Sequence, residues 1–203
     1  MCVLEPICFG KLPNCCSKIL IPRWLYGKAD NATRQNAPLI MWLQGGPGAS
    51  GTGFGNFMEI GPLDINLKPR QYSWVESANL IFVDNPVGTG YSYVDNPSLL
   101  TTNEDQIAAD LVTLLKAVVT KYTSLQNNPF WIFSESYGGK MTASFAAALH
   151  KAIGAGKINV KLGGAAMGDS WIEPMAFVNN WGPYLYTTGQ VDYNGKLAVC
   201  PTP

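Results

Sequence analysis

Short apolar runs recur along the chain, and each is followed by glycine, proline or polar residues. Such runs are typical of buried strands in a parallel sheet, and their lengths fit strands better than helices. The pattern therefore predicts four strands, at Leu39–Leu43, Asn79–Val83, Pro129–Phe133 and Val160–Met167.

Helical periodicity separates the second run from the third. Apolar side chains recur there every three or four residues, which predicts an amphipathic helix, and Thr101–Glu104 predicts a capping box at its start. A second helix is expected from about Lys140 to Ile153, where a Gly-Ala-Gly sequence ends it. Strands that alternate with helices predict an α/β fold with right-handed crossovers and a mostly parallel sheet. The apolar face of the first helix comprises Ile107, Leu111, Leu114, Leu115, Val118 and Tyr122.

The chain has 203 residues, of which 14% are charged, against about 25% in an average soluble domain. This length and this low charge predict one domain with a large buried core. The net charge is zero without basic or acidic blocks, so neither nucleic acid nor an anionic membrane surface is an expected partner. No apolar run is long enough to predict a transmembrane helix. Residues 1–22 are rich in Cys and Pro without clear periodicity, and the predicted domain occupies residues 23–203.

No metal or cofactor site is predicted. The sequence has a single histidine, and its cysteines contain no Cys-x-x-Cys pair that would suit zinc. It also lacks the Gly-Lys-Ser/Thr sequence of a phosphate-binding loop. Free thiols and partial disulfide pairing both remain open for the cysteines, which are Cys2, Cys8, Cys15, Cys16 and Cys200.

The third apolar run leads into Ser134-Glu135-Ser136-Tyr137-Gly138, and a helix is predicted directly afterwards. A strand, a Ser-x-Ser-x-Gly turn and a helix are typical of a nucleophile elbow, in which a strained turn lifts a serine hydroxyl above a parallel sheet. Ser136 is therefore a candidate nucleophile. Ser134 stands where glycine is usual, because the backbone is crowded there. An ordinary strand-to-helix turn is the alternative interpretation.

A glycine-rich segment, Gln44–Gly51, follows the first strand. An oxyanion hole in this architecture takes one backbone N–H from that loop and one from the residue after the nucleophile, which makes Gly46 and Tyr137 the candidate donors. The same glycines also match Gly-x-Gly-x-x-Gly, a dinucleotide-binding sequence. However, Thr52–Pro62 is too rich in Gly and Pro to predict the helix which that site requires, and Asp84 lies too far along to be its acidic residue.

Longer motifs follow one another along the chain, namely Pro38–Gly48, Phe54–Phe57, Glu59–Leu63, Phe82–Tyr93, Ser134–Lys140, Gly168–Ile172 and Trp181–Tyr186. Together they resemble the serine carboxypeptidases, and within that family the retinoid-inducible type. The resemblance extends from about Trp24 to Tyr186 and matches the N-terminal half of a family member. It implies an α/β-hydrolase fold, with a mostly parallel sheet flanked by helices and C-terminally truncated here. It also implies peptides with a free C-terminus as substrates.

The resemblance assigns recognition of the peptide's terminal carboxylate to Gln44, the Gly45 backbone, Glu59 and Glu135. Two carboxyl groups close together cannot both ionise cheaply, so the pKa of one of them rises. The protonated member can then donate a hydrogen bond to the substrate carboxylate, which predicts tighter substrate binding at acidic pH.

The resemblance also implies that Ser136 is the nucleophile and that the N–H groups of Gly46 and Tyr137 form the oxyanion hole. A serine nucleophile needs a general base and an acid that orients the base. The only histidine is His150, and a rise of about 1.5 Å per residue places it about 20 Å along the second helix from the serine. Asp169 ends the next strand, but the resemblance does not make it the triad acid.

The family's acid and histidine lie in its C-terminal half, so the sequence predicts a serine carboxypeptidase fragment that is inactive because both are missing. A non-catalytic fragment that binds carboxylates and an esterase-type α/β-hydrolase remain alternatives. Met1–Leu12 does not read as a signal peptide, because it contains an acidic residue and a proline and lacks a long apolar core. The resemblance nevertheless implies a secreted, lysosomal or vacuolar location.

Overall fold

The computed structural model describes residues 3–8, 20–26 and 37–199, the first two ranges by their backbone alone. Its strands are β1 (Val3–Cys8), β2 (Leu20–Tyr26), β3 (Leu39–Leu43), β4 (Asn79–Val83), β5 (Pro129–Glu135) and β6 (Lys161–Gly168). The predictions for the cysteines concern side chains that lie outside the described part of the chain.

The six strands form one sheet in the order β1-β2-β4-β3-β5-β6. Strands β3 to β6 run parallel, whereas β2 is antiparallel to β4 and β1 is antiparallel to β2. All four predicted strands are therefore confirmed, although β5 continues to Glu135 and β6 is shifted by one residue. The segment 1–22, which showed no periodicity, contains β1 and the start of β2, and the domain boundary after it stays a prediction.

Two long helices connect parallel strands, as predicted. They are α1 (Glu104–Lys121), between β4 and β5, and α2 (Gly138–Gly154), between β5 and β6. The predicted capping box is wrong in its position. Asn103 is the N-cap of α1, where its side chain accepts a hydrogen bond from the N–H of Gln106 at 3.0 Å. The side chain of Gln106 accepts from the N–H of Thr102, the residue before the cap, at 2.8 Å, so the pattern resembles a capping box that lies two residues further along the chain.

The two faces of the sheet have separate cores. Leu39, Met41 and Leu43 of β3 are buried beneath α1 and α2, together with most of the predicted apolar face of α1. Ile40 and Trp42 belong to a smaller cluster on the opposite face. Successive strand residues point to opposite faces, so this alternation also decides which side chains meet where the strands end.

The segment after the glycine-rich loop is helical, and the prediction that it would not be is wrong. Gly51–Ile60 forms a π-helix, capped by the Ser50 side chain, which accepts a hydrogen bond from the N–H of Gly53 at 2.9 Å. The glycines that argued against a helix let it approach the sheet, since a Cβ on Gly55 would lie 2.5 Å from Nε1 of Trp42. Packing that only glycine permits thus outweighs the low helix propensity of glycine.

Residues 171–203 form a second compact unit, separate from residues 1–170. Its described part contains α3 (Pro174–Thr187) and α4 (Tyr193–Val199). Within it, the ring of Trp171 packs edge to face against Phe177 and Trp181, at centroid distances of 6.0 and 6.1 Å. Among the described helices of both units, none is long and apolar enough to cross a membrane.

The packing of α1 against the sheet predicts a large effect for Leu115→Ala, because Leu115 is fully buried in the core. Lost burial and the resulting cavity should lower the free energy of unfolding by about 2–5 kcal/mol. Lys116→Ala changes the exposed neighbour on the same helix and should cost less than about 0.5 kcal/mol. Urea unfolding followed by circular dichroism measures both values, and equal losses would contradict this packing.

Candidate active site

The turn after β5 holds Ser136 in a left-handed backbone conformation. Its φ is 56°, which non-glycine residues rarely adopt, and its N–H donates to the carbonyl oxygen of Gly168 at 3.1 Å. Helix α2 then begins at Gly138, where a Cβ would lie 2.5 Å from the carbonyl oxygen of Leu43. The turn therefore combines a strained serine with a glycine that the packing requires, as a nucleophile elbow does.

The glycine-rich loop lies directly against this turn. A Cβ on Gly45 would be 2.7 Å from the Cβ of Ser136 and 3.2 Å from its Oγ, so a side chain at this position would displace the serine. The loop and the turn meet because β3 and β5 are parallel. Leu43 pairs with Ser134, so both strands end at the same edge of the sheet. The loop is closed by the N–H of Ala49, which donates to the carbonyl oxygen of Gly45 at 3.1 Å.

Two backbone N–H groups beside this contact find no acceptor in the described part of the chain. They belong to Gly46, which follows Gly45, and to Tyr137, which follows Ser136. Gly46 has a φ of 115°, in the region that favours glycine. Backbone N–H groups without an acceptor can donate to a ligand. The two predicted oxyanion donors, next to Ser136, are therefore free to bind a substrate oxygen.

A hydrogen-bond network surrounds the side chain of Gln44, the first residue of the glycine-rich loop. The indole Nε1 of Trp42 donates to Oε1 of Gln44 at 2.7 Å. This bond fixes the orientation of the amide, whose Nε2 lies 3.3 Å from Oε2 of Glu135 and 3.5 Å from Oε1 of Glu59. The structure thus brings together the side chains of Gln44, Glu59 and Glu135, which the sequence analysis assigned to carboxylate binding.

Burial raises the pKa of Glu59 above its usual value of 4.5. The hydrogen bond from Gln44 opposes this shift, and the negative charge of Glu135 adds to it. The second oxygen of Glu59, Oε2, is buried and has no hydrogen-bond partner in the described residues. Glu59 is consequently easier to protonate than a free glutamate, and its unpartnered Oε2 is then a potential hydrogen-bond donor.

The phenol of Tyr137 is hydrogen-bonded to an acid that the sequence did not predict to be near the site. Its hydroxyl donates to Oε1 of Glu104 at 2.6 Å, at the start of α1. This bond, together with burial and the negative charge of Glu104, raises the pKa of Tyr137 to about 12. The phenol therefore stays protonated, and the bond anchors the residue that follows Ser136.

Trp42 was not among the predicted site residues, although the strand pattern contained the signal for it. Trp42 and Gln44 are two residues apart, so their side chains leave β3 on the same face. By contrast, His150 lies on α2, as the sequence predicted, and it is exposed there. Asp169 follows β6 and is exposed, with a φ of 41°. Asp84 is buried and fully hydrogen-bonded by its own chain, which disfavours the dinucleotide alternative.

The close packing around Gln44 predicts a specific effect of Gly55→Ala. The added Cβ would lie 2.5 Å from Nε1 of Trp42 and 2.8 Å from Oε1 of Gln44, so it would force these two groups apart. Overpacking of this kind should lower the free energy of unfolding by about 1–3 kcal/mol and shift the indole N–H resonance of Trp42.

Gly154→Ala is the matched control, because a Cβ there would have no neighbour within 4 Å. Gly154 is the last residue of α2, so alanine should leave stability unchanged or raise it by up to about 1 kcal/mol. Chemical denaturation and a heteronuclear NMR spectrum of both variants provide the two readouts. An unshifted indole resonance in Gly55→Ala would show that the glycine is not needed for the network.

Comparison with known proteins identifies relatives along most of the chain. A family model described as serine carboxypeptidase matches residues 24–199. Retinoid-inducible serine carboxypeptidase of Rattus norvegicus is 52% identical over 178 residues, which are 87% of this chain and 39% of that protein. Serine carboxypeptidase-like 51 of Arabidopsis thaliana is 47% identical over 160 residues, 78% of this chain and 35% of that protein. The chain thus spans about two fifths of the length of these relatives.

Among solved structures, KEX1(DELTA)P, a prohormone-processing carboxypeptidase from Saccharomyces cerevisiae, aligns with a TM-score of 0.81 at 23% identity. The alignment covers 95% of this chain and 43% of that one. At this identity the likeness shows the fold, and it confirms the predicted α/β-hydrolase fold. The family match likewise confirms the resemblance that the sequence motifs carried. This chain belongs to the serine carboxypeptidase family.

Proposed function

We propose that this chain carries the nucleophile and the substrate-carboxylate site of a serine-type carboxypeptidase, which removes residues from the C-terminus of peptides. The observation that carries the proposal is the Gln44 amide, held between the carboxyl groups of Glu59 and Glu135 next to Ser136. An enzyme that cuts at the chain end must recognise a carboxylate within one residue of the bond it breaks. A carboxylate site beside a serine nucleophile meets that need.

In this proposal the terminal carboxylate accepts hydrogen bonds from Gln44, the Gly45 backbone and protonated Glu59. The scissile carbonyl then lies over Ser136, with its oxygen towards the N–H groups of Gly46 and Tyr137. Attack by Oγ forms a bond to the carbonyl carbon, the hydroxyl proton passes to a general base, and the charge develops on the carbonyl oxygen. Collapse breaks the C–N bond, the amine leaves with that proton, and water hydrolyses the acyl-enzyme.

A histidine general base beside Ser136 is the component that the sequence does not offer. The sequence has one histidine, His150, and it is exposed on α2 far from the turn at Ser136. This observation favours a second function for the 203-residue polypeptide by itself, namely carboxylate binding without turnover. An esterase-type activity is less well supported, because an ester without a free carboxylate makes no use of the acid pair.

We further propose a secreted, lysosomal or vacuolar location for the protein. The raised pKa of Glu59 supports this part of the proposal, since it favours substrate binding in acidic surroundings. The expected partner is the free C-terminus of a peptide, and nothing in the charge of the chain suggests nucleic acid.

The carboxylate site predicts that the chain binds a peptide acid at least about tenfold more tightly than the same peptide with a C-terminal amide. Affinity for the acid should be highest between the pKa of the peptide carboxyl, about 3.5, and the raised pKa of Glu59. Above that pKa, ionised Glu59 repels the ligand and no longer donates a hydrogen bond, so affinity should fall. Isothermal titration calorimetry across this pH range measures both effects.

Glu59→Gln provides the control, because the amide is neutral at every pH and can still donate. The affinity of the Glu59→Gln variant for the peptide acid should stay constant over the pH range in which the affinity of the unmodified chain declines. Glu76→Gln, at an exposed acid outside the network, should leave the decline intact. Equal binding of acid and amide peptides, or a decline that persists in Glu59→Gln, would refute the proposed site.

The missing base predicts that the 203-residue polypeptide does not turn over peptides. Loss of a triad base removes several orders of magnitude in rate, even when the oxyanion hole is intact. Release of the C-terminal amino acid should therefore match the background of Ser136→Ala. A rate well above that background would mean that a group in this chain serves as the base.

A further inference from the structure

Asp84 is a buried carboxylate at the end of β4, and only 1% of its surface is exposed. Its Oδ1 accepts hydrogen bonds from the hydroxyl of Ser50 at 2.7 Å and the N–H of Thr52 at 3.0 Å. Its Oδ2 accepts from the hydroxyl of Thr52 at 2.7 Å and the N–H of Tyr91 at 3.0 Å. The acceptor capacity of the carboxylate is thus filled by the chain itself, so its role is to hold other groups.

The groups that Asp84 holds lie at the end of the glycine-rich loop. Gly46–Gly48 is exposed, and a Gly-Pro-Gly sequence has little stiffness of its own on either side of the proline. At its start, the loop rests on Ser136 through Gly45. At its other end, Ser50 and Thr52 are bound to Asp84. The position of the Gly46 N–H therefore depends on both ends.

A second set of contacts holds the far end of the π-helix, where Glu59 lies. A guanidinium nitrogen of Arg70, Nη1, donates to the carbonyl oxygen of Phe57 at 3.1 Å, and the hydroxyl of Ser73 donates to that of Ile60 at 3.1 Å. These bonds involve neither Asp84 nor the loop. Loss of the Asp84 contacts should consequently disturb the loop more than the carboxylate site.

We propose that Asp84 is a positioning residue for the oxyanion hole: it fixes the Gly46 N–H by anchoring the end of the glycine-rich loop to the sheet. This inference rests on the proposed function, because it takes the Gly46 N–H as an oxyanion donor. Four bonds to one ionised side chain restrict the loop without any contact between Asp84 and substrate. Such restriction matters because oxyanion donors act only when they are held in place before charge develops.

Asp84→Asn is the decisive variant, since the amide keeps the shape of the side chain but loses its charge. When the amide oxygen of the new side chain accepts from Ser50, the amide NH2 takes the place of Oδ2 and faces the N–H of Tyr91. The N–H of Tyr91 then has no acceptor. Residue-resolved amide hydrogen exchange on the 203-residue chain should be at least about tenfold faster across residues 45–52. Exchange in β3 and β4 should stay as in the unmodified chain. Asp64→Asn, in an exposed turn where the carboxylate also accepts backbone N–H groups, is the control and should leave residues 45–52 unchanged.

The catalytic consequence is measured by the slow labelling of Ser136 with a fluorophosphonate at alkaline pH. Without a base in the chain, the residual reactivity depends on the oxyanion hole. Asp84→Asn should slow labelling by about tenfold to a hundredfold relative to the unmodified chain. The affinity for the peptide acid should change by less than about threefold. If Asp84 had only a general structural role, Asp84→Asn would reduce the labelling rate and the affinity together.

The outcomes separate the failure of this inference from that of the proposed function. If the unmodified chain labels no faster than Ser136→Ala, the proposed nucleophile fails, and hydrogen exchange still decides whether Asp84 anchors the loop. If labelling is specific but unaffected by Asp84→Asn, or if exchange in residues 45–52 does not change, the inference is overturned. Should Asp84→Asn fail to fold, Thr52→Val removes one hydroxyl bond to Asp84 and must accelerate exchange in the same segment.

Discussion

The contact between Gly45 and Ser136 is the constraint on which the candidate site depends. A Cβ on Gly45 would lie 2.7 Å from that of the serine, so the two backbones meet only because one residue has no side chain. The contact exists because β3 and β5 are parallel neighbours whose ends are in register. It places the glycine-rich loop, Ser136 and Tyr137 at one edge of the sheet.

Strand alternation then determines which side chains join the site. Trp42 and Gln44 lie on one face of β3, and Glu135 leaves β5 on the corresponding face, so the indole, the amide and the acid meet. Glu59 arrives from the π-helix, which its glycines allow to pack closely on Trp42. The result is an amide between two acids, and burial makes one of these acids easier to protonate than a free carboxyl. A serine site becomes in this way a site suited to a terminal carboxylate.

The sequence predicted much of this arrangement because the relevant information is local. Apolar runs revealed the parallel strands, three- and four-residue spacing revealed α1, and the Ser-x-Ser-x-Gly turn revealed Ser136. The errors occurred where local propensity competes with packing. Glycine argued against a helix at Gly51–Ile60, yet the same glycines let the π-helix approach the sheet. The N-cap of α1 is Asn103 and not Thr101, because the Asn103 side chain accepts a hydrogen bond from the N–H of Gln106.

By itself, the sequence determined the fold class, the position of the nucleophile turn and, through its motifs, the family. These depend on the order of residues within short segments, which can be seen in the sequence without any knowledge of distant contacts. The tertiary structure decided which polar groups are paired, as with Glu104 and Tyr137 across 33 positions, and Gln44 and Glu135 across 91. It also decided that Asp84 binds the glycine-rich loop and that Glu59 is partly buried. Such pairings arise from strand order and packing between distant segments, so no local pattern can specify them.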